Sequence, residues 1–370
     1  MKQTTIQNIG GLGSQLTVLD VTGHANILDR VFAGALSSLP NLGHLNLRYV
    51  FAFFSLFSFS RWMHRGCSLV GSDSAKVLGS RAEHLIYLNL SMTVVPVMDL
   101  VPALKAALNL ETLKLAGLAT LTDLNLNALT RALFEETDSS LPLTRLRSFK
   151  IRHTQISATS LTPFLQKLPL LQRLDVSFIP LRTIFHQHRP LPYPPLEKLS
   201  LTSTPMPFPP LLQALPHLPH LKVLNLGALG ASAKTVRGHS FGGASGTGRT
   251  ITDQVLYQVT DVLVNQCHQL ELVSLAGNTL LGRSVQYFVE AVGWKLKALN
   301  LGGIPGLKSR DLSPLVQGED SGTAGQPKLE RLVLTNTKID DEASVYIAAC
   351  VHLTMLDLES TKVTGGSFTP

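Results

Sequence analysis

The pattern L-x-x-L-x-L, with apolar replacements allowed, starts twelve times along this chain, at Leu16, Leu42, Leu85, Leu110, Leu146, Leu171, Leu196, Leu221, Leu270, Leu296, Leu329 and Leu353. Four consecutive starts, from Leu146 to Leu221, are 25 residues apart, and most other gaps are close to that value or enlarged by an insertion. In each copy the last two apolar residues alternate with polar ones, which suits a short strand with one buried and one exposed face. Leu356 and Leu358 of the last copy therefore point inward. One copy is too small to cover its own apolar side, so neighbours must stack their strands into a parallel sheet over a continuous core. The repeat predicts a solenoid that takes in 1–370 as a single domain of about twelve copies.

Three positions after the last apolar residue of each strand, where the chain must turn away, stand Thr93, Thr154, Thr204, Thr337 and Thr361, with Asn278 once. Their side chains can bond the backbone there, which makes these threonines turn residues rather than nucleophiles. Between strands the period changes. "DQVLYQVTDVLVNQC" from Asp253 and "DEASVYIAACVHL" from Asp341 carry apolar residues at helical spacing behind an acidic start that suits a helix cap. "MDLVPALKAALNL" and "SATSLTPFLQKLPLL" read the same way. The Pro-rich "FHQHRPLPYPPLEKL" and "TPMPFPPLLQALPHLPHL" cannot sustain long helices, so extended or single-turn segments are expected there.

On these residues the chain resembles the leucine-rich repeat proteins over almost its whole length, and among them the ribonuclease-inhibitor-like and cysteine-containing classes. Cys267 and Cys350 each stand three residues before a first leucine, in "CHQLELVSL" and "CVHLTMLDL", and "TKIDDEAS" resembles that class's turn into a helix. The resemblance implies an α/β solenoid, a curved horseshoe with a parallel sheet on the concave face and helices or irregular segments on the convex face. Both thiols are expected to be buried and inert.

Composition bounds the rest. With 370 residues and 44% hydrophobic content, the chain can bury a sizeable core. Charged residues are only 15% and the balance is +7, so attraction to an acidic partner has to come from local clustering. Three cysteines, Cys67, Cys267 and Cys350, make no disulfide framework, and "MKQTTIQNIGGLGSQL" lacks a secretory apolar core. A reducing, cytoplasmic or nuclear location is expected. "VFAFFSLFSF", Val50 to Phe59, is about half the length needed to cross a bilayer.

Two segments break the repeat. Residues 49–72 form an anomalous apolar insertion, for which a retained intron translated in frame and a hook packed on the solenoid are both open. Residues 227–252 are rich in Gly and Ser and are expected to form a flexible surface loop. Within it "GASGTGRT", Gly243 to Thr250, has P-loop spacing but lacks the Lys and the strand that such a loop follows. "HQH" at His186–His188 and "HLPH" at His217–His220 lack ligand partners at a recognised spacing, so neither metal nor cofactor is expected. No catalytic constellation is present in the pattern, and the chain is read as a non-enzyme.

The outward strand positions are the second, fourth and sixth after each first leucine. In the central copies they give Lys114, then Ser148, Lys150 and Arg152, then Arg173, Asp175 and Ser177, then Lys198, Ser200 and Thr202. Five cations, Lys114, Lys150, Arg152, Arg173 and Lys198, meet one anion, whereas the last copy offers Met355, Asp357 and Glu359. A lysine stripe on strands about 4.8 Å apart repels itself unless something acidic docks there. The expected function is a protein-interaction scaffold gripping an acidic segment of another protein. Nucleic acid ranks lower because Tyr87 is the one inner aromatic residue available for stacking. No membrane or small-molecule substrate is expected. The resemblance adds two alternatives. One is the substrate-recognition part of an F-box ubiquitin ligase, whose F-box the fifteen residues before Leu16 cannot hold. The other is a Ran-type GTPase-activating regulator, which usually carries an acidic tail not found here.

Overall fold

In the computed structural model, which describes residues 3–23, 28–48, 71–135, 141–183, 193–229, 251–316 and 327–364, every copy of the repeat opens on a three-residue strand. They are β1 (Val18–Asp20), β2 (His44–Asn46), β3 (Tyr87–Asn89), β4 (Thr112–Lys114), β5 (Ser148–Lys150), β6 (Arg173–Asp175), β7 (Lys198–Ser200), β8 (Val223–Asn225), β9 (Leu272–Ser274), β10 (Ala298–Asn300), β11 (Arg331–Val333) and β12 (Met355–Asp357). All twelve occupy positions two to four after a first leucine, and strand order follows chain order.

The residues group into two compact units, one of 1–175 with 186–194, the other of 176–185 with 195–370. In the first unit the parallel register aligns Leu19, Leu45, Leu88, Leu113, Phe149 and Leu174. In the second it aligns Leu199, Leu224, Val273, Leu299, Leu332 and Leu356. All but Leu356 are buried, so each row is a spine of core, and a fully buried leucine contributes ~2 kcal/mol. Leu353, Leu356 and Leu358 of the last copy are half-buried.

The turn threonines do what their chemistry suggests. The hydroxyls of Thr93, Thr154, Thr204, Thr337 and Thr361 donate to the carbonyls of Leu90, Ile151, Leu201, Leu334 and Leu358 at 2.6–2.8 Å. Asn278 Nδ2 reaches two carbonyls, Leu275 in its own copy (2.7 Å) and Leu226 in the preceding one (2.9 Å). One residue before this position the backbone is left-handed in every described copy. Gly23, Gly117, Gly277 and Gly303 have positive φ there, and so do Met92, His153, Phe178, Ser203, Ala228, Asn336 and Ser360. This geometry lets the chain turn while its N–H still serves the next copy: Met92 N–H donates to the Ala116 carbonyl (2.7 Å) and Ala228 N–H to that of Ala276 (2.8 Å).

Opposite the strands lie the helices α1 (Gln3–Gly10), α2 (Asp29–Ser37), α3 (Ser72–Gly79), α4 (Val101–Ala106), α5 (Asp123–Phe134), α6 (Ala158–Leu165), α7 (Phe208–Ala214), α8 (Asp253–Gln266), α9 (Gly282–Ala291) and α10 (Ser344–Ala348). Expectation needs correcting at two of them. The Pro-rich stretch forms α7 followed by a 3-10 turn, Leu215–His217, because Pro209 and Pro210 sit in the first helical turn, where a missing N–H costs nothing. The stretch from Asp341 is mostly a 3-10 turn, Asp341–Ala343, with α10 only five residues long.

The acidic starts also act differently than a self-capping reading implies. Asp253 receives the N–H of Leu281 (2.7 Å) and the Ser284 hydroxyl (2.5 Å), both at the start of α9, one copy further on. Asp123 likewise accepts from the N–H of Ser157 (2.7 Å) and from the Ser160 hydroxyl, and Asp29 from the N–H of Asp73 (3.0 Å) and the Ser74 hydroxyl. Each carboxylate thus satisfies orphan donors of the following helix and ties two copies together.

Most of the insertion 49–72, the P-loop-like Gly243–Thr250, His186–His188 and Cys67 lie outside the described residues. Among those described, no helix is long and apolar enough to cross a membrane.

Candidate partner-binding face

The outward positions of the first unit form two rows fixed by strand register. One runs Val18, His44, Tyr87, Thr112, Ser148, Arg173, and the other Asp20, Asn46, Asn89, Lys114, Lys150, Asp175. Lys114 and Lys150 are therefore direct neighbours, and Lys150 in turn neighbours Asp175. Arg152 stands just past the end of β5. Arg173 is exposed, while Lys114, Lys150 and Arg152 are half-buried. The fifth predicted cation, half-buried Lys198, begins β7 in the second unit.

Lys114 is held. Its Nζ donates to the Tyr87 hydroxyl (2.7 Å) and lies 4.5 Å from the centre of the Tyr87 ring, whose other neighbour is the stacked His44 imidazole (5.9 Å between ring centroids). The ring is thus already engaged by a cation from its own chain, which weighs further against base stacking there. Beyond Tyr87 the polar row is closed on itself: Asn89 Nδ2 donates to Asn46 Oδ1 (2.8 Å) and Asn46 Nδ2 to Asp20 Oδ2 (2.8 Å). The repeat spacing held the signal for this cluster, since His44 and Tyr87 occupy the same position in consecutive copies.

The sequence reading treats every outward position as displayed. That is corrected at Ser148, Ser177 and Ser200, which are buried; at Ser200 the neighbouring strand's Asn225 Nδ2 donates to the hydroxyl at 2.9 Å. At the turn after β5, partial loss of solvent and then the Arg152 guanidinium hold the His153 imidazole below its usual range, while Asp175 pulls the other way.

The outward rows of the second unit differ. After Lys198 come Val223, Leu272, Ala298, Arg331 and Met355, and beside them Ser200, Asn225, Ser274, Asn300, Val333 and Asp357. Asp357 is occupied in its turn, accepting the Glu359 N–H at 3.2 Å. One position before β7, β8, β9 and β10 the charges alternate and pair, Lys222 with Glu197 (3.3 Å) and Lys297 with Glu271 (3.2 Å). His217 and His220 are exposed, and among the described residues no three His, Cys, Asp or Glu side chains are placed to hold a metal ion. Cys267 and Cys350 are both buried, and burial pushes each thiol up to about 11.

No family model matches the chain, and no curated protein matches it. Among solved structures it is similar to an internalin from Listeria monocytogenes at 18% identity, covering 98% of this chain and 84% of that one, with a TM-score of 0.44. It is also similar to a Leptospira interrogans LRR protein at 19% identity, covering 98% and 87%, with a TM-score of 0.44. The yeast Rad7 and Elc1 complex is a further match at 16% identity, covering 82% and 77%, with a TM-score of 0.49. What identifies the fold is the chain's own register: three-residue parallel strands on a recurring leucine phrase, backed by helices, make it an α/β leucine-rich repeat solenoid.

Proposed function

We propose that this chain is a non-catalytic protein-interaction scaffold whose first unit docks an acidic segment of another protein on its outward strand positions. One observation carries the reading. The register of β4, β5 and β6 sets Lys114 beside Lys150 and Arg173 beside Ser148, with Arg152 past the strand end and Asp175 the one carboxylate in those positions. Exposed Arg173 and half-buried Arg152 present planar forks that match carboxylates in pairs. Lys114, with one of its three N–H groups given to Tyr87, adds charge and its remaining donors, and Lys198 is a fifth contact to be tested separately on the second unit.

The test is fluorescence anisotropy with a labelled peptide of consecutive glutamates, titrated with wild type, a Lys150→Glu/Arg152→Glu/Arg173→Glu variant and Lys198→Glu. The triple variant is expected to bind roughly tenfold or more weakly, and wild-type affinity to fall as salt rises. Equal affinities for wild type and the triple variant overturn the reading.

A second, finer reading rests on Cys267 and Cys350. Both thiols are buried at the same position of their copies, with Sγ 4.0 Å from the Leu215 carbonyl and 3.9 Å from that of Tyr346. That shared placement favours the cysteine-containing repeat class and its ubiquitin-ligase substrate-recognition role. An F-box encoded in frame upstream of Met1 supports this; coding sequence there without one counts against it.

A further inference from the structure

We infer that the outer surface of α8 and α9 in the second unit binds an arginine-bearing segment of a partner protein. The helices lie side by side and face each other with matching stripes. On α8 these are Tyr257, Asp261 and Val264, at helical positions i, i+4 and i+7, and on α9 Arg283, Tyr287 and Glu290 at the same spacing. All six side chains are exposed, with Tyr257 at 36%, Tyr287 at 37% and Val264 at 38%. The stripes meet at their tyrosines, whose ring centroids are 5.1 Å apart at 57°, and the Tyr287 hydroxyl donates to Asp261 Oδ1 at 2.6 Å.

Two tilted aromatic faces flanked by carboxylates form a receptor for a planar cation. A guanidinium can lie on a ring face while its N–H groups reach Asp261 or Glu290, which a carboxylate ligand cannot do. The local potential has the right sign. The bond to Asp261 first, then burial, and then the charges of Asp261 and Glu290 hold the Tyr287 hydroxyl above its ordinary pKa. Helices α8 and α9 carry three carboxylates, Asp253, Asp261 and Glu290, against one cation, Arg283, in a chain whose overall balance is +7. Arg283, one turn before Tyr287, is an internal competitor for the same faces.

The probe is a fluorescein-labelled peptide with four consecutive arginines, titrated at low salt into the full chain. Wild type is expected to bind saturably, Tyr257→Ala/Tyr287→Ala roughly tenfold more weakly, and Tyr287→Phe, which keeps the ring and frees Asp261, at least as well as wild type. Arg283→Ala is expected to tighten binding roughly twofold. Asp261→Asn, which removes one charge from an exposed position, is expected to weaken binding several-fold and serves if the double variant unfolds. No saturable binding by wild type, or unchanged affinity in either the double alanine or the Asp261→Asn variant, overturns the inference. It does not depend on the inner basic face, because the glutamate peptide and its variants report on that separately.

Discussion

The ammonium of Lys114 lies 2.7 Å from the hydroxyl of Tyr87, a residue 27 positions earlier in the chain and one strand away. This contact orients the ammonium of the residue that pairs in register with Lys150. Tyr87→Phe removes the hydrogen bond and keeps the ring under the ammonium. Stability is expected to change by less than about 1 kcal/mol, since the pair is only half-buried, while affinity for the glutamate peptide rises. A fall in that affinity would count against Lys114 as part of the face.

The left-handed turn position makes a sharper prediction about stability. Ala228 has a φ of 46°, which costs an L-residue about 1 kcal/mol, so Ala228→Gly should raise the melting temperature. Gly117→Ala should lower it by a similar amount, because Gly117 has a φ of 65°, while the flexible end of Met92 can move away from the added Cβ. Thermal melts of the two variants check both signs.

Buried turn hydroxyls are worth more than exposed ones. Thr154→Val keeps the shape but leaves the Ile151 carbonyl without its 2.7 Å donor, and should cost ~1–2 kcal/mol in a urea titration. A loss below 0.3 kcal/mol, an order-of-magnitude floor for a neutral change, would show that water replaces the hydroxyl.

Acid should loosen the link that Asp123 makes to the next copy. At Asp123 burial acts to raise the pKa, but the bonds from the Ser157 N–H and from the Ser160 and Ser157 hydroxyls outweigh it and hold the carboxyl below its ordinary value. A depressed folded-state pKa gives stability that is complete above the unfolded value of about 4 and is lost as pH falls through the folded one. Asp123→Asn should therefore flatten the stability profile below about pH 4, at a cost of ~1 kcal/mol at neutral pH from the weakened cap.

Cys267 and Cys350 should resist alkylation in the native state. With each thiol pushed up to about 11, only about one in a thousand is ionised at pH 8, and both are buried. Mass spectrometry after iodoacetamide treatment should find them unmodified unless urea is present. Rapid native labelling of either would refute its buried placement.

The strands were legible because a two-residue alternation with one buried face admits a single register, and the leucine phrase states it in every copy. The turn threonines were legible for a related reason, since their partner carbonyl lies three residues back in the same copy. The left-handed position escaped notice because residues as different as Met92, Phe178 and Gly277 occupy it: the ladder to the next copy imposes the backbone, and no one side chain signals it. Asp253 was seen as a cap but assigned to its own helix, because the donors it serves, Leu281 and Ser284, are brought to it by stacking.

Periodic leucines alone therefore determined the parallel sheet, its register and the list of side chains that face outward from it, because those follow from local alternation and from the need to cover an apolar side. Which outward groups remain able to meet a partner was decided only by tertiary structure. Tyr87 engages Lys114, Asn225 takes up the Ser200 hydroxyl, and Tyr287 reaches Asp261 across two helices. Each outcome is a contest among side chains one or more copies apart, settled by distances that exist only once the copies have stacked.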